Sequence, residues 1–186
     1  MKKQTRILDF LEKWPVSLLP LLVLLAIPFT VHNQPPATTS TASEPEYHAS
    51  LRLSPSRATL TPGEVFEVSI LLDTEQSKVD GADAVLKYNP RMLEFLSLER
   101  GTLFEEYISE EADRENGEIT LAGVTFSPRK KNGTLGRLAF RALKKGSTTV
   151  FFEFLPGATK DSNVALAGAG GVDILKEVVN AQYVIE

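Results

Sequence analysis

Past residue 63, apolar side chains return at every second position in one run after another, and that period limits the fold more than any other feature of the chain. In Glu64–Asp73, Phe66, Val68, Ile70 and Leu72 share one face. In Ala82–Tyr88, Ala82, Ala84, Leu86 and Tyr88 do the same, with Asp83 and Lys87 opposite. The pattern repeats at Ile119, Leu121 and Gly123, at Leu138, Phe140 and Ala142, at Val150, Phe152 and Phe154, and at Ala181, Tyr183 and Ile185. A two-residue period is that of a strand with one buried face. Pro62-Gly63, Asp80-Gly81, Asn116-Gly117, Asn132-Gly133 and Lys145-Gly146 fall between these runs and read as turns. Asn116-Gly117 and Asn132-Gly133 are the strongest hairpin cues, because a type I′ turn needs two positive φ angles. Pro90–Leu93 has room for a helical turn, and Val172–Glu177 is too short to change the class. Short strands between turns predict an all-β, two-sheet sandwich.

The N-terminal quarter is of another kind. Pro15–Val31 is an uncharged apolar run of 17 residues. As a helix it would reach about 26 Å, against a bilayer core of about 30 Å. Leu18, Leu19, Leu21, Leu22, Val23, Leu24, Leu25 and Ile27 supply its apolar body, and Trp14 stands at the interface position. Lys2, Lys3, Arg6 and Lys13 precede it, so the positive-inside tendency keeps Met1 in the cytoplasm and sends the rest out. The expected organisation is a cytoplasmic segment (1–13), a transmembrane signal anchor (14–31), a Pro/Thr/Ser-rich linker (32–48) and the sandwich (49–186). The domain then sits outside the cell on a single-pass membrane anchor. A cleaved signal peptide, which would make the protein secreted, is the competing reading.

Charge and composition exclude several functions. The segment before the apolar run carries +2, and subtracting that from the chain's −4 leaves −6 for the remainder. An acidic body without a basic stripe argues against nucleic acid. With no cysteine there is no disulfide or thiolate chemistry. The two histidines, His32 and His48, lie in the linker and at the domain edge, where neither a Ser-His-Asp triad nor a histidine metal site can form. Glu105, Glu106, Glu110, Glu111, Asp113 and Glu115 read as a solvated loop rather than a glycosidase carboxylate pair. The glycines of residues 167–173 lack the βαβ context of a phosphate loop. The expectation is a binding protein with no catalytic residues. Trp14 is the sole tryptophan, so the domain has no tryptophan strip for sugar stacking, and Phe126 and Phe151 are its outward aromatic candidates.

Two sets of residues stand out as sites. Asp83, Val85 and Lys87, with Arg137, Ala139 and Arg141, alternate opposite the buried residues of their runs. On one sheet they would form a mixed polar face suited to a partner, or an ordinary solvated face. Asp73, Thr74, Asp80, Asp83, Asp161 and Asn163 offer hard oxygen ligands for calcium if the two segments meet, and ordinary turn capping if they do not.

The order of the landmarks carries a family likeness. Leu72-Asp73-Thr74 is followed by Val79–Asp83, then by Leu86-Lys87-Tyr88-Asn89-Pro90, Leu93-Glu94-Phe95 and Gly101–Phe104. After them come Asn116–Ile119, Gly136–Phe140, Lys145–Val150 and Asp161–Val164. Over Leu53–Glu186 this series resembles the cohesin domain, a β-sandwich module related to bacterial carbohydrate-binding modules. Asn89 stands where that family commonly has Asp. The resemblance implies a jelly roll of about nine strands that needs no cofactor. It also implies a sheet face that recognises a dockerin-type protein module, or polysaccharide in related modules. Such proteins serve in polysaccharide degradation or cell-surface attachment. The alternative is a carbohydrate-binding or purely structural surface domain of the same fold.

Overall fold

The computed structural model describes residues 48–158 and 160–186, apart from the side chains of 129–131. The expected anchor and most of the linker lie outside the described residues. Within them no helix is long and apolar enough to cross a membrane.

Ten strands follow one another: β1 (Ala49–Ser54), β2 (Arg57–Leu60), β3 (Val65–Lys87), β4 (Leu93–Arg100), β5 (Glu106–Asp113), β6 (Glu118–Ala142), β7 (Gly146–Phe152), β8 (Asn163–Leu166), β9 (Leu175–Val179) and β10 (Ala181–Ile185). The ladders join all ten into one sheet because β3 and β6 are long enough to run through both layers of a sandwich. In the first layer the N-terminal half of β3 lies between β1 and the C-terminal half of β6, with β9 and β4 beyond them. In the second, the N-terminal half of β6 lies between β5 and the C-terminal half of β3. β8 and the end of β7 continue that layer on the far side of β3, and β10 and β2 follow β7.

The inward set is the one the two-residue period picked out. Val68, Ile70, Leu72, Ala82, Ala84, Leu86, Ile119, Leu121, Leu138 and Phe140 are buried in a single apolar cluster drawn from both layers. The layers meet closely. A Cβ placed on Gly136 would fall 2.4 Å from Leu121 Cδ2, and the Phe140 ring stands 5.2 Å from that of Tyr88.

The long strands correct two turn assignments. Asp80-Gly81 lies inside β3, where the register against β8 slips by one residue in a bulge. Asn132-Gly133 lies inside β6, paired with Asp73 and Leu72, and there is no hairpin tip. Pairing along both long strands satisfies those peptide groups, so the glycines serve bends rather than chain reversals. Only Asn116-Gly117 closes a hairpin: Asp113 accepts the Glu115 and Asn116 amide hydrogens, and Gly117 takes φ 69°. The acidic stretch is a second correction, because most of it forms β5, an edge strand. Charge on an edge discourages pairing with other chains, which explains a strand with so little apolar content. Val172–Glu177 likewise ends in strand β9.

Tyr183 is fully buried; its hydroxyl donates to Pro55 O at 3.0 Å, and burial pushes its pKa up. Burial raises Tyr88 and Tyr107 as well. A raised folded-state pKa favours the protonated form, so this stability is complete below the unfolded tyrosine value of about 10 and is lost above it. Urea unfolding at pH 8 and pH 11 should show a clear loss at the higher pH, and a smaller loss in Tyr183→Phe. Equal losses in the two proteins would contradict this assignment.

Candidate functional site

The six residues expected to form one face are divided between the layers. Asp83, Val85 and Lys87 lie on the C-terminal half of β3, where they pair with Ala122, Thr120 and Glu118. Arg137, Ala139 and Arg141 lie on the C-terminal half of β6, opposite Ser69, Glu67 and Val65. In a sandwich the outer faces of the two layers look away from each other, so the two triplets cannot be contacted together by one compact partner.

The outer faces differ in character. Around Arg137 and Arg141 the register sets Glu94 beside Arg141, Ser97 beside Ala139 and Glu99 beside Arg137. Arg141 donates to Glu94 at 2.6 Å, and Glu67 sits one strand away. Alternating opposite charges that hold long side chains upright make an ordinary solvated wall.

The other outer face is built of three cross-strand rows. One runs Ser109, Ala122, Asp83, Asn163; the next Glu111, Thr120, Val85; the last Asp113, Glu118, Lys87, Phe151. Small side chains occupy the middle, which keeps the surface flat and brings the backbone near the solvent. Charges lie toward the margins. Few charges at the centre and polar groups at the rim is the usual composition of a recognition patch.

Hydrogen bonds hold this face in place. Asn163 donates to the Asp83 carboxylate at 2.9 Å. Burial pushes the Asp83 carboxyl above its ordinary pKa, while the bond from Asn163 pulls it back down. Lys87 is paired with Glu118, which raises its pKa, and has Glu153 at 3.8 Å. Val85 is buried although it points outward. Its N–H donates to Ser162 Oγ at 3.0 Å, and that hydroxyl donates back to Val85 O at 3.2 Å. Glu153 N–H donates to Val85 O and Ser162 N–H to Glu153 O, so the chain leaves the sheet after Glu153 and returns at Ser162. Leu155 is exposed on this excursion, and Phe126 and Ile108 are exposed on β6 and β5.

The oxygens considered for calcium are in use at separate places. Asp73 accepts the Glu75 amide hydrogen, and Thr74 donates to Ser77 O. Both lie where β3 bends between layers, at Glu75 and Gln76 with positive φ. Asp80 accepts from Gly168, and Asp161 from Leu155. Only Asp83, Asp161 and Asn163 come together, through the Asn163 amide, which donates to the Asp83 carboxylate and to Asp161 O. Among the described residues no three carboxylate or imidazole groups gather as a metal site. These side chains act as turn and bend caps.

Thr120, Ala122 and Ser109 were not singled out by sequence reasoning, and Glu111 was read as part of a solvated acidic loop. The signal for two of them was present, since Thr120 and Ala122 alternate with Ile119 and Leu121. β5 carried no such signal, having almost no buried side chain to set a phase.

The cohesin domain model matches residues 52–178, which take in every strand of both layers except β10, the first three residues of β1 and the last residue of β9. The chain belongs to the cohesin domain family. That is a family of non-catalytic binding domains. No curated protein matches the chain. Solved structures resemble this cohesin at low identity. The seventh ScaB type I cohesin from Pseudobacteroides cellulosolvens is 14% identical, with TM-score 0.62 over 75% of this chain and 93% of that one. A cohesin–dockerin complex from Clostridium thermocellum, Coh-OlpA-Doc918, is 14% identical, with TM-score 0.58 over 74% and 99%. A non-cellulosomal cohesin from the archaeon Archaeoglobus fulgidus is 15% identical, with TM-score 0.56 over 74% and 91%. At such identity the likeness is one of fold.

Proposed function

We propose that this cohesin is a non-catalytic recognition module that docks a dockerin-type protein module on the outer face of β5, β6, β3 and β8. The observation that carries the reading is the contrast between the two outer faces. One sets Glu94 and Glu99 beside Arg141 and Arg137, with Arg141 ion-paired to Glu94; the other has Ala122, Thr120 and Val85 at its centre. Membership of the cohesin family and the solved cohesin–dockerin complex supply the partner class. The flat face bears Asp83, Glu111, Asp113 and Glu118 against Lys87, so the partner should bring positive charge, and binding should weaken with salt.

Surface plasmon resonance of the full chain against a panel of dockerin modules tests the reading. Thr120→Arg puts a long charged side chain at the centre of the flat face, and it should weaken binding by about a hundredfold, the scale of an interface hot spot. Ala139→Arg, on the other layer, should change it by less than about threefold, as a site outside the interface does. The reverse ranking, or no binding to any dockerin, would refute the proposal.

The same reading includes the address. The apolar run with basic residues on one side only supports a single-pass anchor that holds the domain outside the cell, where a docking module meets its partners. Protease added to intact cells should then remove the domain from a membrane-bound pool. A domain protected until the cells are lysed would contradict this.

A further inference from the structure

The outer face of β5, β6, β3 and β8 continues past its central rows, and at one end its pairing is interrupted on two strands. On β5 the register slips between Tyr107 and Ser109, so Ile108 has no partner on β6. Tyr107 turns inward, its hydroxyl donating to Leu135 O at 2.7 Å, and Ile108 stands out with 69% of its surface exposed. On β6 the interruption is larger. Val124 pairs with Gly81 and Arg129 with Val79, so the residues from Thr125 to Pro128 stand opposite Asp80 alone. Phe126 projects from this excursion at 83% exposure, more than any other large apolar side chain among the described residues. A bulge re-aims a side chain and gives up ladder pairing, and here both bulges hold an apolar residue in water.

The excursion is held by its own hydrogen bonds. Thr125 is only 6% exposed, and its hydroxyl donates to the Glu105 carboxylate at 2.5 Å. The same carboxylate oxygen accepts the Phe126 amide hydrogen at 3.0 Å, and Ser127 N–H donates to Thr125 Oγ1 at 3.2 Å. Neither Phe126 nor Ile108 belongs to the core cluster. β6 links them with further apolar surface. A Cβ on Gly123 would strike the buried Phe104 ring, so Gly123 faces inward and its neighbours Ala122 and Val124 face out. A Cβ on Gly81 would lie 3.4 Å from Val124 Cγ1, so the bare glycine leaves a hollow beside that side chain. Carboxylates border the patch: Glu106 in the row of Val124, then Asp83 and Glu111 in the next two rows. Lys87, farther along the face, is paired with Glu118. Single exposed apolar residues are ordinary on a surface, whereas a run of them rimmed by charge marks a contact.

We propose that Ile108 and Phe126 are the anchor by which this face selects its partner. The partner is a dockerin-type module with an apolar hollow for the two side chains, bordered by cationic groups that meet Glu106, Glu111 and Asp83. The inference rests on the docking reading above and adds the side chains that carry the affinity, since a few apolar anchors dominate most interfaces. Glu105 is a positioning residue. It holds the excursion before the partner arrives, which lessens the ordering that binding requires.

Surface plasmon resonance of the full chain in lipid nanodiscs, against a panel of dockerin modules, tests it. With the dockerin that the parent binds best, Phe126→Ser should weaken binding about thirtyfold and Ile108→Ser about tenfold, mainly through faster dissociation. Both side chains are exposed, so the urea midpoints should stay close to the parent's. These losses should be the same at low and high salt, whereas that of Glu111→Gln should shrink as salt rises. Glu105→Ala should weaken binding about fivefold in the parent and not at all in Phe126→Ser, as expected of a residue that acts through another. The Phe126 and Ser127 amide hydrogens are already bonded, so substitution reads this contact and amide exchange does not. If Thr120→Arg disrupts dockerin binding while the Phe126 and Ile108 variants bind like the parent, this inference fails and the docking face stands. If no dockerin binds the parent, both fail. Glu105→Ala acting equally in the two backgrounds, or a parent that dimerises through Phe126 and binds dockerin unchanged without it, also overturns the proposal.

Discussion

Phe140→Ala should lower the free energy of unfolding by about 3–5 kcal/mol, the range for deleting a fully buried aromatic side chain. The ring is completely buried on β6. It sits 5.9 Å from Phe66 on β3 in the same layer, 5.7 Å from Phe95 on β4, and 5.2 Å from Tyr88, which comes from the opposite layer. Removing it takes away the transfer free energy of the ring and leaves a void that two sheets, tied by their ladders, cannot close. The Tyr88 and Phe95 rings also lose their edge-on partner, and Phe66 loses its stacked one. Urea unfolding at pH 7 measures the effect. A loss below about 1 kcal/mol would mean the layers collapse onto the site, contrary to the packing described here.

Gly101→Ala is a single added methyl group, and it should cost about 3 kcal/mol or more, at or beyond the top of the usual range for overpacking. A Cβ at this position would lie 1.9 Å from Thr134 O and 2.7 Å from Leu135 O, both backbone atoms of β6. Side chains move aside easily; a paired strand does not. Relief would break the Gly101 N–H bond to Leu135 O (2.8 Å), and it would disturb the Tyr107 hydroxyl, which donates to the same carbonyl at 2.7 Å. The damage would fall where β4 and β5 meet the middle of β6. The same unfolding measurement checks it, and near-parental stability would show that β6 is far more pliable there than its pairing implies.

The first argument rests on a residue whose buried role was visible before the structure, whereas Gly101 was read only as a landmark of the family likeness. Phe140 was placed inward by its two-residue spacing from Leu138 and Ala142, and the other regular runs were read as well. What escaped the reading were places where local signals and long-range pairing disagree. Asp80-Gly81 and Asn132-Gly133 have the composition of turns, but they bend strands that pass from one layer to the other. Nothing local to the dipeptide tells a bend from a reversal; the pairing of Asp73 with Asn132 decides it. For the same reason the two candidate triplets looked equivalent. Each alternates correctly along its own run, and only the crossing of β3 and β6 between layers sends them to opposite faces. β5 was missed because an edge strand that buries little shows no period.

The central claim is that partners dock on the flat outer face of the second layer. Amide hydrogen exchange of the full chain, read with and without a bound dockerin module, tests it most directly. The account predicts added protection confined to residues 83–87, 107–113, 118–122 and 161–165. Protection appearing instead along 94–99 and 137–141 would place the interface on the opposite wall and contradict it.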